Sequence, residues 1–236
     1  ARKYTPAYCV FGLILLLFAG KTITRNRDWH DDYTLFSADL KKSPRSVKIL
    51  TNLGFLTGKK GRIEESMEYF RKALEIYPNY DDALKGYGRR LYDLKRYEES
   101  ANYYAKAVGI APQNPESRTD YAIVLQKLDR YDDAERELAI AIQLNPHNPL
   151  PFQEMSNVKI AKEDYQSALA ALKQAESLGG DQRIILNNSA VAFFLSGNVT
   201  EAYRALMHAR SKGIQINEEL AEAIISNMHG MQSDVR

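Results

Sequence analysis

The 236-residue sequence predicts an all-α solenoid of repeated helix pairs, preceded by a transmembrane helix. Two observations predict the solenoid: small and bulky apolar residues recur every 34 residues, and short polar turns separate the apolar stretches. An apolar run near the start of the chain predicts the transmembrane helix.

The first segment, residues 1–22, is predicted to cross a membrane. Residues 4–20 contain no charged side chain, and Val10 to Ala19 is uniformly apolar. Seventeen uncharged residues lie at the lower limit for a spanning helix. A signal peptide and a buried core helix stay open as alternatives, although Leu17 is too large for the small-residue position before a cleavage after Ala19. Basic residues on both sides leave the orientation undetermined.

The 34-residue period is visible in several columns of residues. Alanine recurs at Ala73, Ala107, Ala141, Ala175 and Ala209. A bulky residue precedes each of these by three positions, at Phe70, Tyr104, Leu138, Leu172 and Leu206. Small residues fill two further columns, at Ser66, Ser100, Ala134, Ala168 and Ala202, and at Gly54, Gly88, Ala122, Ser156 and Ala190. Small residues let two helices approach closely, and the bulky residue fills the space between units.

The ends of the units follow from backbone chemistry. Proline cannot continue a helix, and it follows the second helix of the first three units, at Pro78, Pro112 and Pro146. Glycine suits a left-handed helix end, and Gly179 and Gly213 end the last two units. The predicted units are 47–80, 81–114, 115–148, 149–182 and 183–216.

Four regions result from these assignments. Residues 1–22 form the transmembrane helix, 23–44 a junction with a short helix, 45–216 the five repeats, and 217–236 a capping helix and tail. Asn217 is a predicted helix cap, and the helix after it covers the last unit with Leu220, Ala223 and Ile224. The tail beyond Gly230 is predicted to be disordered. Because the chain begins at Ala1, we expect it to be part of a longer protein.

The repeats resemble the tetratricopeptide repeat. Asn52-Leu53-Gly54, Phe70, Ala73 and Pro78 match that pattern, whereas Arg118 stands where a large apolar residue is usual. The resemblance implies a right-handed α-solenoid whose first helices line a concave groove for protein or peptide partners.

The junction resembles that of the protein O-mannosyltransferases with carboxy-terminal tetratricopeptide repeats, which act on cadherins in animals and have bacterial relatives. The matching strings are Thr22-Ile23, Arg25-Asn26-x-Asp28-Trp29 and Thr34-Leu35-Phe36. The resemblance implies a membrane protein with its repeats on the ER-lumenal or periplasmic side, and a catalytic portion outside these residues that uses lipid-linked mannose. A membrane-tethered assembly or adaptor scaffold with no enzymatic parent stays open as the alternative.

The family's geometry supplies candidates for the groove. The main ones are Phe55, Lys85, Arg89, Tyr92, Gln126 and Asn157, and further ones are Lys48, Thr51, Thr119, Ile123, Gln153, Asn187 and Val191. Lys85, Arg89 and Tyr92 share a helix face and suit an acidic or aromatic peptide. An ordinary solvated face is the equal alternative.

The sequence indicates no catalytic, metal or cofactor site. The four histidines lack metal-ligand spacing, the single cysteine is Cys9, and no nucleophile or dinucleotide motif occurs. Asp28, Asp31 and Asp32 are explained by the dipole of a helix start. A net charge of +2 argues against nucleic acid as a partner. Asn187 and Asn198 lie in N-glycosylation sequons.

Overall fold

The structure, a computed structural model, describes residues 5–27 and 31–233. Every regular element in these ranges is an α-helix, which confirms the predicted all-α class for this part of the chain. The helices are α1 (Thr5–Arg27), α2 (Asp32–Lys42), α3 (Val47–Lys59), α4 (Ile63–Ile76), α5 (Asp81–Asp93), α6 (Tyr97–Ile110), α7 (Pro115–Lys127), α8 (Tyr131–Leu144), α9 (Pro149–Ala161), α10 (Tyr165–Ser177), α11 (Gln182–Leu195), α12 (Val199–Ser211) and α13 (Glu218–Ser233). Asp28, Trp29 and His30 of the predicted junction lie outside the described residues.

The apolar segment near the start forms helix α1. Among the described residues, no helix is both long enough and apolar enough to cross a membrane. The described residues therefore do not support the predicted transmembrane helix.

The chain divides into two compact units, one ending at Arg90 and the other beginning at Leu91. In the first unit, α2 contacts α3, and α3 packs along α4. Its core contains Leu50, Phe70, Ala73 and Ala83. Leu40 of α2 packs against this core, so the short junction helix covers the edge of the first helix pair.

The start of α2 is fixed by polar contacts. The Asp31 carboxylate accepts a hydrogen bond from the Thr34 amide at 2.7 Å, which caps the helix. The Tyr33 hydroxyl donates to Glu65 of α4 at 3.1 Å, and Lys60 and Arg62 lie over its ring. Asp31 therefore has a structural role, in agreement with the explanation drawn from the helix dipole.

Phe70 is the centre of the first unit. Its side chain is fully buried. Two glycines, Gly54 of α3 and Gly86 of α5, lie against its ring. A Cβ atom at Gly54 would lie 2.7 Å from the Phe70 ring, and one at Gly86 would lie closer still. The two glycines thus allow α3 and α5 to close on the ring.

The second unit repeats one arrangement along its length. The pairs α7 with α8, α9 with α10, and α11 with α12 each pack closely, and α13 covers α12. Its alanine column, at Ala107, Ala141, Ala175 and Ala209, is fully buried, and the bulky column at Tyr104, Leu138, Leu172 and Leu206 is buried as well. The packing role assigned to both columns is therefore confirmed in this unit.

The capping helix is present and longer than predicted. The Asn217 side chain accepts a hydrogen bond from the Leu220 amide at 3.0 Å, and Ala221 and Ile224 are buried against the last pair. The helix continues to Ser233, so the prediction of a disordered tail immediately after Gly230 is wrong. Residues 234–236 lie outside the described part.

The turn inside each pair places one residue in the left-handed conformation. Gly61 and Gly197 occupy this position with φ of 75° and 80°. At the equivalent turns the residues are not glycine: Lys95, Asp129 and Glu163 have φ of 60°, 55° and 60°. A side chain disfavours this conformation, so the fold holds these three residues against a local preference.

Arg118 departs from the repeat pattern for a reason visible in the structure. Its guanidinium donates to Glu137 of α8 at 2.5 Å and to the Pro112 carbonyl at 2.8 Å. The Arg118 and Glu137 side chains are only 12% and 20% exposed. A largely buried ion pair between α7 and α8, together with the hydrogen bond to the preceding turn, therefore stands where an apolar contact is usual.

Candidate functional site

The first helices of the second unit present a continuous polar face. Helices α7, α9 and α11 contact one another in succession. Five of their side chains form a hydrogen-bonded row, which we call the amide ladder: Gln126, Glu154, Asn157, Asn187 and Asn188. The ladder joins three helices that are far apart in sequence, so it is a feature of the assembled unit.

Glu154 lies at the centre of the ladder. Its Oε2 atom accepts hydrogen bonds from the Gln126 side-chain amide at 3.2 Å and from the Asn157 amide at 3.1 Å. Asn157 in turn accepts from Asn188 of α11 at 2.7 Å. Each side chain is thereby held in place by a neighbour on its own helix or on the next first helix.

Asn188 anchors the ladder in the core. It is only 8% exposed, and its amide also donates to the Ser156 hydroxyl at 3.1 Å. Asn187 is half-buried and donates to Asn188 at 3.3 Å. Because a buried amide needs hydrogen-bond partners, Asn188 fixes the positions of the more exposed members.

A depression of about 420 Å³ adjoins one end of the ladder, and the residues around it are Asn157, Asp181, Arg183, Ile184, Asn187, Asn188 and Gln215. Asp181 caps α11 by accepting from the Arg183 amide at 2.9 Å, and its carboxylate pairs with the Arg183 guanidinium at 2.7 Å. The hydrogen bond from Arg183 holds the pKa of Asp181 below its usual value. The charges at this edge therefore compensate each other.

Three of the predicted groove residues, Gln126, Asn157 and Asn187, belong to the ladder. Sequence analysis missed Glu154 and Asn188 as site residues. The sequence did contain a signal for them: the two residues lie 34 positions apart, so they occupy the same position of successive repeats, and both are polar.

Three other predicted residues are buried. Thr51, Thr119 and Gln153 are 2%, 1% and 3% exposed. They occupy one column of the repeat, and Gln153 donates to the Asp181 carbonyl at 3.1 Å. These three members of the column therefore contribute to packing between elements, whereas Lys85 and Asn187 of the same column are half-buried.

The predicted cationic and aromatic patch is partly neutralised. Lys85 is 17% exposed and lies 2.9 Å from Asp82 and 3.9 Å from Asp81 on its own helix. Arg89 is exposed. In the second unit, Tyr92 packs against Tyr97 with ring centroids 5.4 Å apart. The charge available for an acidic peptide is thus smaller than the sequence alone indicates.

Phe55 is the most exposed aromatic among the predicted residues. It is 39% exposed, and its ring meets Phe70 edge to face at 5.0 Å. Of the sequon residues, Asn198 is exposed and caps α12, whereas Asn187 is engaged in the ladder. Among the described residues, no cluster of three histidine, cysteine or acidic side chains could hold a metal ion.

Comparison with curated proteins finds protein O-mannosyl-transferases. The chain is 35% identical over 85 residues to Protein O-mannosyl-transferase Tmtc3 of Drosophila melanogaster, which is 36% of this chain and 9% of the relative. It is 30% identical over 90 residues to TMTC3 of Mus musculus, which is 38% of this chain and 10% of the relative. The matched segment is therefore about a tenth of these relatives' length.

Solved structures support the fold. PilW, a type IV pilus biogenesis factor, matches with a TM-score of 0.74 and 22% identity, over 86% of this chain and 94% of that one. YrrB, described as a tetratricopeptide repeat protein with a peptide-binding site, matches with a TM-score of 0.66 and 19% identity, over 81% of this chain and 97% of that one. At these identities the likeness shows the fold alone.

Family models give the assignment. Three models of the tetratricopeptide repeat match residues 47–80, 91–151 and 154–212, which together are more than half of the chain. The helix pairs and buried small-residue columns described above are what such a repeat requires. The chain belongs to the tetratricopeptide repeat family.

Proposed function

We propose that this chain is a protein-binding scaffold that holds an extended segment of a partner against the first-helix face of its second unit. The amide ladder is the observation that supports this most directly. Side-chain amides offer both donors and acceptors, so they can bond to a polypeptide main chain whatever its sequence. Predicted groove residues Gln126, Asn157 and Asn187 act in this site. Phe55, Lys85 and Arg89 of the first unit offer a second contact region, and Tyr92 is a further candidate in the second unit.

The scaffold serves as the acceptor-presenting part of a protein O-mannosyltransferase-like membrane protein. The similarity to the fly and mouse transferases and the junction pattern at Thr34-Leu35-Phe36 support this assignment. The repeats face the ER lumen or periplasm, and the catalytic residues lie in another portion of the parent protein. Asn198, exposed at the start of α12, is the better candidate of the two sequons.

A membrane-tethered assembly scaffold with no enzymatic parent is the second candidate. It rests on the repeat fold alone, which this chain shares with PilW, a type IV pilus biogenesis factor. In this case the same face holds a component of an assembly, and no sugar transfer depends on it.

Binding is tested by titrating the labelled 236-residue chain with unstructured peptides of about twelve residues and following its side-chain amide signals by NMR. The Gln126 and Asn157 signals should shift, and Asn187→Ala should weaken binding. The matched control is Gln174→Ala, because Gln174 is an exposed amide on a second helix. Absence of any shift with every peptide would refute the scaffold role.

The link to mannosyl transfer needs the full-length parent protein. Asn187→Ala should reduce mannose addition to a protein acceptor and leave turnover of the sugar donor unchanged. If no parent preparation transfers mannose while the peptides still bind, the assembly scaffold is the correct account.

A further inference from the structure

The hydrogen bonds of the amide ladder all run toward Glu154. Asn187 donates to Asn188, Asn188 donates to Asn157, and Asn157 donates to Glu154. Gln126 donates to Glu154 from the opposite side. The ladder therefore uses donor groups internally and concentrates negative charge at its centre.

Glu154 has no cationic partner of its own. Within the described residues, no lysine, arginine or histidine lies at ion-pair distance from its carboxylate. Neighbouring carboxylates differ: Asp181 pairs with Arg183, and Glu137 pairs with Arg118. Glu154 thus leaves an uncompensated charge on a half-buried face. Such a carboxylate attracts a ligand cation more strongly than one already paired.

The polar atoms of these side chains that form no hydrogen bond within the ladder include three acceptor oxygens. Both hydrogen bonds to Glu154 end on Oε2, so Oε1 has no donor within the described residues. The side-chain oxygens of Gln126 and Asn187 likewise receive no hydrogen bond there. A ligand that satisfies these three oxygens must bring N–H groups.

The spacing fits a short extended segment. Packed helices lie about 8–10 Å apart, so the path from α7 to α11 is roughly 16–20 Å long. An extended polypeptide advances about 3.3 Å per residue, so roughly five or six residues cover this path. One of them reaches Glu154, and the others pass Gln126 and Asn187.

We propose that the amide ladder selects an extended polypeptide segment carrying a lysine or arginine, whose cationic group binds Glu154 while its main-chain N–H groups bind Gln126 and Asn187. This rests on the proposed scaffold function and specifies its partner. It differs from the acidic or aromatic peptide expected at Lys85 and Arg89.

The test uses the complete chain and four peptides of about twelve residues, identical except for a central lysine, arginine, norleucine or glutamate. Affinities are measured by NMR titration, which detects weak binding. The lysine and arginine peptides should bind roughly tenfold more tightly than the norleucine peptide, as one charge-assisted hydrogen bond allows. The glutamate peptide should bind most weakly, and added salt should reduce the cationic advantage.

The decisive variant is Glu154→Gln, which keeps a side-chain oxygen for Gln126 and Asn157 and removes the charge. It should lower the affinity of the lysine peptide to that of the norleucine peptide and leave the norleucine peptide unaffected. Glu98→Gln is the control, since it makes the same change in net charge at an exposed position of α6.

The possible failures are distinguishable. If all peptides bind equally and Glu154→Gln changes nothing, the charge selection is wrong and the scaffold function stands. If only the glutamate peptide binds, the partner is acidic and the proposal is overturned. If no peptide binds at all, the proposal falls together with the scaffold function.

Discussion

The two units use the same repeat position for different purposes. Phe55 and Asn157 are three repeat periods apart. In the first unit Phe55 meets the buried ring of Phe70, whereas in the second unit Asn157 takes part in a hydrogen-bonded ladder. The buried columns hold the same kinds of residue in both units, small in one set and bulky in the other. The scaffold is therefore independent of the chemistry displayed on it, and specificity in this family has to be sought on the first-helix face.

The largest expected effect concerns the aromatic centre of the first unit. Replacing Phe70 by alanine should cost about 3–5 kcal/mol of stability, because a fully buried ring leaves a cavity that helix backbone at Gly54 and Gly86 cannot fill easily. Hydrogen exchange of the α3 and α4 amides measures the loss locally. Phe55→Ala is the control and should cost about 1 kcal/mol, since it removes mainly the edge-to-face contact. Equal costs for the two rings would contradict this account.

The next effect concerns the ion pair in the second unit. Arg118→Ala should destabilise that unit by roughly 2–3 kcal/mol, because it leaves Glu137 largely buried without a partner. Arg118→Leu combined with Glu137→Leu should recover most of this loss, since an apolar contact is usual there. Urea unfolding followed by exchange of α7 and α8 amides provides the measurement. Arg96→Ala, which breaks an exposed pair with Glu99, should change stability much less.

A smaller effect should appear in acid. Lys159 and Lys162 of α9 and its turn bind Glu135, and their hydrogen bonds hold the pKa of Glu135 below its usual 4.5. A carboxyl group whose pKa is lowered by folding stabilises the folded state at pH values above its pKa in the unfolded chain. This contribution is lost as the pH falls through the pKa of the folded state. Stability should therefore decrease below about pH 4.5, and Lys159→Met should reduce the decrease. Urea unfolding at about pH 6 and about pH 3 compares the two proteins. An identical pH dependence in the variant would show that this cluster does not contribute.

The repeat columns could be predicted from the sequence because packing imposes them at one fixed spacing. Ala141 and Leu138 are buried where the period places them, and Asn217 caps the last helix as its residue type suggests. The ladder could not be predicted in the same way. Its hydrogen bonds join residues 28 and 31 positions apart, so they connect different columns and depend on how successive helices are offset.

Arg118 illustrates the same limit for the core. Its position in the pattern predicts an apolar contact, and the sequence identifies the departure. Its partners, Glu137 and the Pro112 carbonyl, come from the next helix and the preceding turn. The hydrogen-bond partners of a long side chain with several donors depend on which residues lie near it in the folded structure, and a periodic sequence pattern does not predict them.

The smallest expected effect concerns the turns inside the helix pairs, where the units differ again. The first unit has Gly61 at φ 75°, whereas the second has Lys95 in the same place at φ 60°. Lys95→Gly should stabilise the protein by about 0.5–1 kcal/mol, because the relief of left-handed strain exceeds the entropy that glycine loses on folding. Gly61→Ala should destabilise the first unit by about 1 kcal/mol for the opposite reason. Thermal unfolding of both variants with the parent chain measures the pair of shifts. If Lys95→Gly lowered stability, the lysine side chain would have to contribute more to its turn than its conformation costs, and the turns of the two units would then be held by different forces.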